Sequence, residues 1–125
     1  MNISFDDSRG PLVLRVSGDL RIWGLREAEG QRLVNLFRAQ ENLPKEIVLN
    51  LADVKQIDSL GVGMLARALV ECAKQERSLR VVLPLGAAGK VLKMVHIFDP
   101  WPAFPDETAA VQASLRTAQG GTTLS

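Results

Sequence analysis

One cysteine, Cys72, and one histidine, His96, are all the 125-residue chain offers of the residue types that most often build disulfides and metal centres. A lone cysteine allows no internal disulfide and no cysteine metal cluster. An excess of charge is lacking too: 15 Lys and Arg against 14 Asp and Glu leave a net charge of +1. That removes the electrostatic case for nucleic acid, which needs a basic stripe holding several phosphates. No apolar run approaches the roughly 20 residues that cross a bilayer. Residues 1–7 show neither the basic region nor the apolar stretch of a secretory signal. What is present is ordinary, 46% hydrophobic and 23% charged, as in one compact domain burying roughly two-thirds of its unfolded surface. The expectation is a soluble, cytoplasmic single domain over residues 1–118 with a flexible tail over 119–125, and with neither nucleic acid nor membrane as partner.

Ile3 and Phe5, then Leu12, Leu14 and Val16, alternate with more polar neighbours, the period of half-buried strands. Ser8-Arg9-Gly10-Pro11 between them has turn chemistry, which predicts an antiparallel hairpin whose second strand closes at Gly18-Asp19. Leu25, Ala28, Leu33, Leu36 and Phe37 keep helical spacing between Trp23 and Gln40. Ile47 to Leu51 is a nearly continuous apolar run, as in a central strand covered on both faces. Helical spacing returns at Leu60, Met64, Leu65, Ala68, Leu69 and Cys72, followed by a buried strand at Arg80–Leu83 and a short helix marked by Ala88, Val91, Leu92 and Val95. Three prolines make residues 99–105 an extended connection. Asp106 is placed to cap a last helix with Ala110, Val111 and Leu115. Strands alternating with helices after a hairpin imply an α/β fold, a mixed central sheet of four to five strands with about four helices.

The catalytic inventory is thin. His96 has no nucleophile or metal partner in its local pattern, and Cys72 falls on an apolar helix stripe as an inert packed thiol would. Gly86-Ala87-Ala88-Gly89-Lys90 joins a strand to a helix as a phosphate loop does, but its glycines are too close and Val91 stands where Ser or Thr should follow the lysine; a plain turn is the better reading. Trp101 and Phe104 read as a flap closing one end of the core. No catalytic residue, metal ligand or cofactor follows, and the chain is not read as an enzyme.

Gln56-Ile57-Asp58-Ser59-Leu60-Gly61-Val62-Gly63 stands apart, between a buried strand and a long helix. Asp58 or Ser59 suits the N-cap, and on capping grounds alone this is a well-made helix start. A serine at that point also tolerates added phosphate, because the unpaired amides favour negative charge. With Met64, Leu65, Ala68, Leu69 and Cys72 inward, Gly61 also turns inward while Gly63, Ala66, Arg67, Val70 and Lys74 turn outward. Gly63, Ala66 and Val70 form a small, smooth strip suited to a docking partner or to a neighbouring helix of the same domain.

The strand Val48–Leu51, the element Ile57-Asp58-Ser59-Leu60-Gly61-Val62-Gly63 and the strand Leu79–Leu83 resemble the STAS domain, and within it the bacterial anti-sigma factor antagonists. The resemblance implies that a partner kinase phosphorylates Ser59, that Asp58 and Gly61 are the flanking aspartate and glycine, and that the unmodified protein binds an anti-sigma factor, often itself the serine kinase, regulating transcription indirectly. A serine phosphatase would restore binding. Partner contacts are then expected at Asp58, Ser59, Leu60, Gly61, Val62, Gly63, Ala66, Arg67, Val70, Arg21 and Trp23, and a homodimer is compatible with the sequence. Leu60 replaces a frequent second Ser or Thr, Arg21 holds the place of an aspartate near the loop, and Asn50 replaces a strand aspartate, a minor departure. Alternatives are a STAS scaffold without phosphorylation, in a stress-signalling or transport complex, and a small-ligand or nucleotide module using Arg21, Trp23 and Ser59.

Overall fold

A computed structural model describes residues 2–21 and 45–120. The helix expected between Trp23 and Gln40 lies outside them, as does Trp23. Five strands form one sheet in the order β1-β2-β3-β4-β5: β1 (Asn2–Asp6), β2 (Leu12–Leu20), β3 (Glu46–Ile57), β4 (Ser78–Val82) and β5 (Ala103–Phe104). The hairpin β1–β2 is antiparallel and every other pairing is parallel. Its turn is built by Asp6, whose Oδ1 accepts from the Ser8 amide at 2.9 Å, and by Gly10 at φ +108°, a left-handed conformation that costs a residue without Cβ little. Three described helices complete the fold: α1 (Ser59–Lys74), α2 (Ala87–Val95) and α3 (Glu107–Gly120).

Alternation along the strands sorts side chains onto two faces. Leu12, Leu14, Val16, Ile47, Leu49, Leu51, Leu79 and Val81 meet the inner stripe of α1 (Met64, Leu65, Ala68, Leu69, Cys72) together with Ala88 and Leu92 of α2. On the other face Val13, Val48 and Val82 meet Ala110 and Val111 of α3, with Phe104 against them. Of the expected flap residues, Trp101 packs with Phe98 on the larger cluster, while Phe104 packs on the smaller one, so the two do not close the same end of the core.

Four details depart from the sequence-based expectation. β2 does not close at Gly18-Asp19 but continues to Leu20, with register shifts against β3 between Arg15 and Ser17 and between Gly18 and Asp19. β3 runs six residues past Leu51 to pair with that extension. The proline-rich connection contains β5, a two-residue edge strand that follows the Val81 amide's bond to the Pro102 carbonyl at 3.0 Å; an edge is where flanking prolines cost no ladder bond. Leu115, expected on the inner face of the last helix, is exposed, while Ser114 beside it is buried and bonded to the Ala110 carbonyl.

Candidate functional site

The end of β3 delivers the chain into α1 through Asp58. This residue is extended (φ −122°, ψ −174°) and caps the helix: its Oδ1 accepts from the Gly61 amide at 3.1 Å, and its carbonyl accepts from Val62 at 2.9 Å. Of the two capping candidates Asp58 is the cap, and Ser59 becomes the first helical residue, its side chain exposed. A hydroxyl spared from capping and open to solvent is chemically reachable.

Gly61 is buried, so the contact expected of it is corrected to a positioning part. A Cβ there would lie 2.0 Å from the Leu20 carbonyl oxygen, well inside van der Waals contact, so only glycine lets the first turn of α1 sit against the end of β2. Two residues on, Gly63 has nothing within 4 Å of the same position. It opens an exposed run with Arg67 and Val70, the latter 52% exposed, flanked by half-buried Ala66 and by Leu60 at 50%. Val62, also expected on the partner side, packs partly against the core.

Arg21 leaves β2 beside this helix start. Its Nε donates to Asp19 Oδ1 at 2.9 Å and its Nη2 to Oδ2 at 2.7 Å. The side-chain hydrogen bonds from Arg21, foremost, hold the Asp19 carboxyl below its ordinary range. Arg21 is raised in turn, mainly by Asp19, with a further contribution from the charge of Asp58. The arginine that replaces an expected acid therefore brings its own carboxylate, and both stand beside the Asp58–Ser59 step.

A second polar centre, absent from the sequence reading, lies on the opposite face. Glu107, first residue of α3, accepts from Arg15 Nε at 2.7 Å, Arg9 Nη2 at 2.7 Å and Asn50 Nδ2 at 3.0 Å. The Arg15 bonds, then those from Asn50 and Arg9, pull its carboxyl down to about 2. Asn50 is thus no minor departure: its amide donates to Glu107 while its Oδ1 accepts from the Ala52 amide at 2.9 Å. An aspartate could do only the second. The four residues lie too far apart in the chain for local pattern to group them.

The remaining candidates are quiet. Cys72 is fully buried on α1, which pushes its thiol up to about 11 and keeps it protonated. His96 is exposed at φ +58°, its Nδ1 2.9 Å from Asp99 Oδ2. Gly89 lies on the Pro84 carbonyl, where a Cβ would come within 2.0 Å, so the two glycines of that turn serve packing and the helix entry. Among the described residues no three His, Cys, Asp or Glu side chains are grouped to hold a metal, and no helix is long and apolar enough to cross a membrane.

A five-stranded mixed sheet with a capped helix start after its central strand defines a STAS-type α/β domain. The family model "Mlab, STAS domain" matches residues 3–99, and the chain belongs to that STAS family. No curated protein matches the chain. Among solved structures it is similar to an anti-sigma factor antagonist from Mycobacterium paratuberculosis (23% identity, 90% of this chain and 92% of that one, TM-score 0.72). It is equally similar in fold to a sulfate transporter family protein from Wolinella succinogenes (16%, 86% of each chain, TM-score 0.72). The anti-sigma factor antagonist SpoIIAA in its unphosphorylated form aligns at 17% identity over 92% of this chain and 98% of that one, with a TM-score of 0.63. At these identities the likeness is one of fold.

Proposed function

We propose that the chain is an anti-sigma factor antagonist that docks an anti-sigma factor through Ser59 and the outer strip of α1, and that phosphorylation of Ser59 ends the docking. The observation that carries this reading is the exposed hydroxyl at the first position of α1, uncommitted to the cap, at the head of a strip with open space at Gly63 and half-exposed apolar groups at Leu60 and Val70. In the modification Ser59 Oγ attacks the γ-phosphorus of a nucleoside triphosphate bound to the kinase. The new P–O bond replaces the bond to the diphosphate leaving group, and the hydroxyl proton passes to a base on the kinase.

Unmodified, the site is small and neutral at Ser59, so a partner can pack over it. Phosphate adds about −1.5 to −2 charges next to Asp58. The amides of the first turn offset this by roughly 0.3–1 kcal/mol, so the domain stays folded. A docked partner that offers the phosphate no cation of its own must desolvate that charge, at about 2–5 kcal/mol. That lowers affinity by roughly thirty-fold to several thousand-fold. The fold survives and the complex does not. The test is phosphosite mapping on protein isolated from its own cells, with binding of the captured anti-sigma factor compared for Ser59→Ala and Ser59→Asp. Retained binding for the alanine variant with loss for the aspartate variant is expected; equal binding by both defeats the switch.

The fold similarity to a sulfate transporter family protein favours one alternative, a STAS scaffold in a transport assembly. In that case Ser59→Asp leaves assembly untouched and no phosphate is found.

A further inference from the structure

Leu20 and Ile57 are register partners at the ends of β2 and β3, one strand spacing of about 4.8 Å apart. Arg21 follows the first and Asp58-Ser59 the second, and the Leu20 carbonyl lies directly under the first turn of α1. The backbone of Arg21 therefore leaves its strand beside the one that carries the candidate phosphorylation site. The guanidinium's contacts with Asp19 all use one edge: Nε to both carboxylate oxygens at 2.9 and 3.2 Å, and Nη2 to Oδ2 at 2.7 Å. The Arg21 amide bonds the same carboxylate at 3.0 Å, so four hydrogen bonds, three of them from the side chain, tie Arg21 to Asp19 two residues back. Among the described residues no hydrogen bond engages Nη1, and the side chain is 42% exposed. A guanidinium is a planar fork with more than one edge able to grip an oxyanion. One edge here is committed and steadies the guanidinium, whose charge is felt at Asp58.

We propose, building on the reading that Ser59 is phosphorylated, that Arg21 is the internal partner of that phosphate: it keeps Asp19 on one edge and takes a phosphate oxygen on the other. The modification then acts twice on the docking face. It adds an anion at Ser59 and withdraws a cation at Arg21 that an acidic group of the partner would otherwise meet. Asp19 has the part of a tether, fixing the guanidinium so that little ordering remains when phosphate arrives. A lysine at position 21 would supply charge without the second edge.

The experiment uses the full chain carrying phosphoserine installed at position 59 during translation, so no kinase is needed. Phosphorus NMR titration compares the native background with Arg21→Gln and Arg21→Lys, and nitrogen NMR follows the Arg21 Nε–H signal with and without the phosphate. In the native background the phosphoserine is expected to titrate roughly half a unit below its value in Arg21→Gln, with Arg21→Lys between them. The Arg21 Nε–H signal moves on phosphorylation. Equal titration in the native and Arg21→Gln proteins, or a stationary Nε–H signal, overturns the proposal; the second readout needs no variant and stands even if Arg21→Gln fails to fold. Absence of phosphate on Ser59 in protein from its own cells would instead defeat the underlying functional reading, and leaves this titration as it is.

Discussion

Two glycines two positions apart on one helix answer oppositely to the same methyl group. Gly61→Ala forces a Cβ into the Leu20 carbonyl, and backbone against backbone cannot yield without moving α1. We expect a loss of about 2–3 kcal/mol in denaturant unfolding. Gly63→Ala meets open space in a helix interior and should gain about 0.5–1 kcal/mol by the same measurement. If the outer strip docks a partner backbone closely, Gly63→Ala will also weaken binding while it stabilises the free protein. The asymmetry was half legible in the sequence: the helical wheel placed Gly61 inside and Gly63 outside, but not the carbonyl that makes Gly61 obligatory, because Leu20 is forty-one residues away. Asn50 gives a third residue-scale expectation. Asn50→Asp sets a carboxylate against Glu107, deletes a donor 3.0 Å from it, and should raise the Glu107 titration, readable by carbon NMR of its carboxyl.

Among the elements, α3 depends most on a single side chain. Glu107 draws Arg9 of the hairpin turn, Arg15 of β2 and Asn50 of β3 to the first turn of the helix, tying the described helix on that face to the sheet. Its carboxyl titrates near 2 when folded against an ordinary 4.5. A depressed folded value means the stabilisation is whole above about pH 5, where the unfolded chain has also lost its proton, and fades as pH falls from there toward 2. Bare conversion of that shift gives about 3.4 kcal/mol. Arg15 is 40% exposed, and solvent screening brings the expectation to about 1–2 kcal/mol. Glu107→Gln should therefore lose that amount at pH 7 and flatten the acid limb between pH 5 and 2 in urea titrations at stepped pH. β3 shows why an element can hide. Its buried residues past Leu51 fall at Val54 and Ile57, a spacing of three that imitates a helix rather than a strand. The shifts in register against β2 produce it, and they are a property of the pairing, invisible in either strand alone.

On the scale of the molecule, the sheet divides the described interior unequally. Among the described residues nineteen buried ones form the cluster shared with α1 and α2, and five form the one beneath α3. With each buried aliphatic side chain contributing roughly 1.5–3 kcal/mol, α3 should open well below the global unfolding free energy. Native-state hydrogen exchange is expected to show α3 amides exchanging ahead of those of β2 and β3; identical protection throughout would show one cooperative unit instead. This imbalance was readable in outline, since the continuous apolar run at Ile47–Leu51 announced a strand covered on both sides. Its extent was not, because the side chains beneath α3 alternate with those of the main core along the same strands.

Gly61 and Gly89 occupy the same rank, each the third residue of its helix, and each rests on a carbonyl of the chain leaving a strand, at Leu20 and at Pro84. Both of these described helices are consequently held at a fixed height over the strand end they touch, and any side chain larger than hydrogen at either position lifts the helix entry away from it.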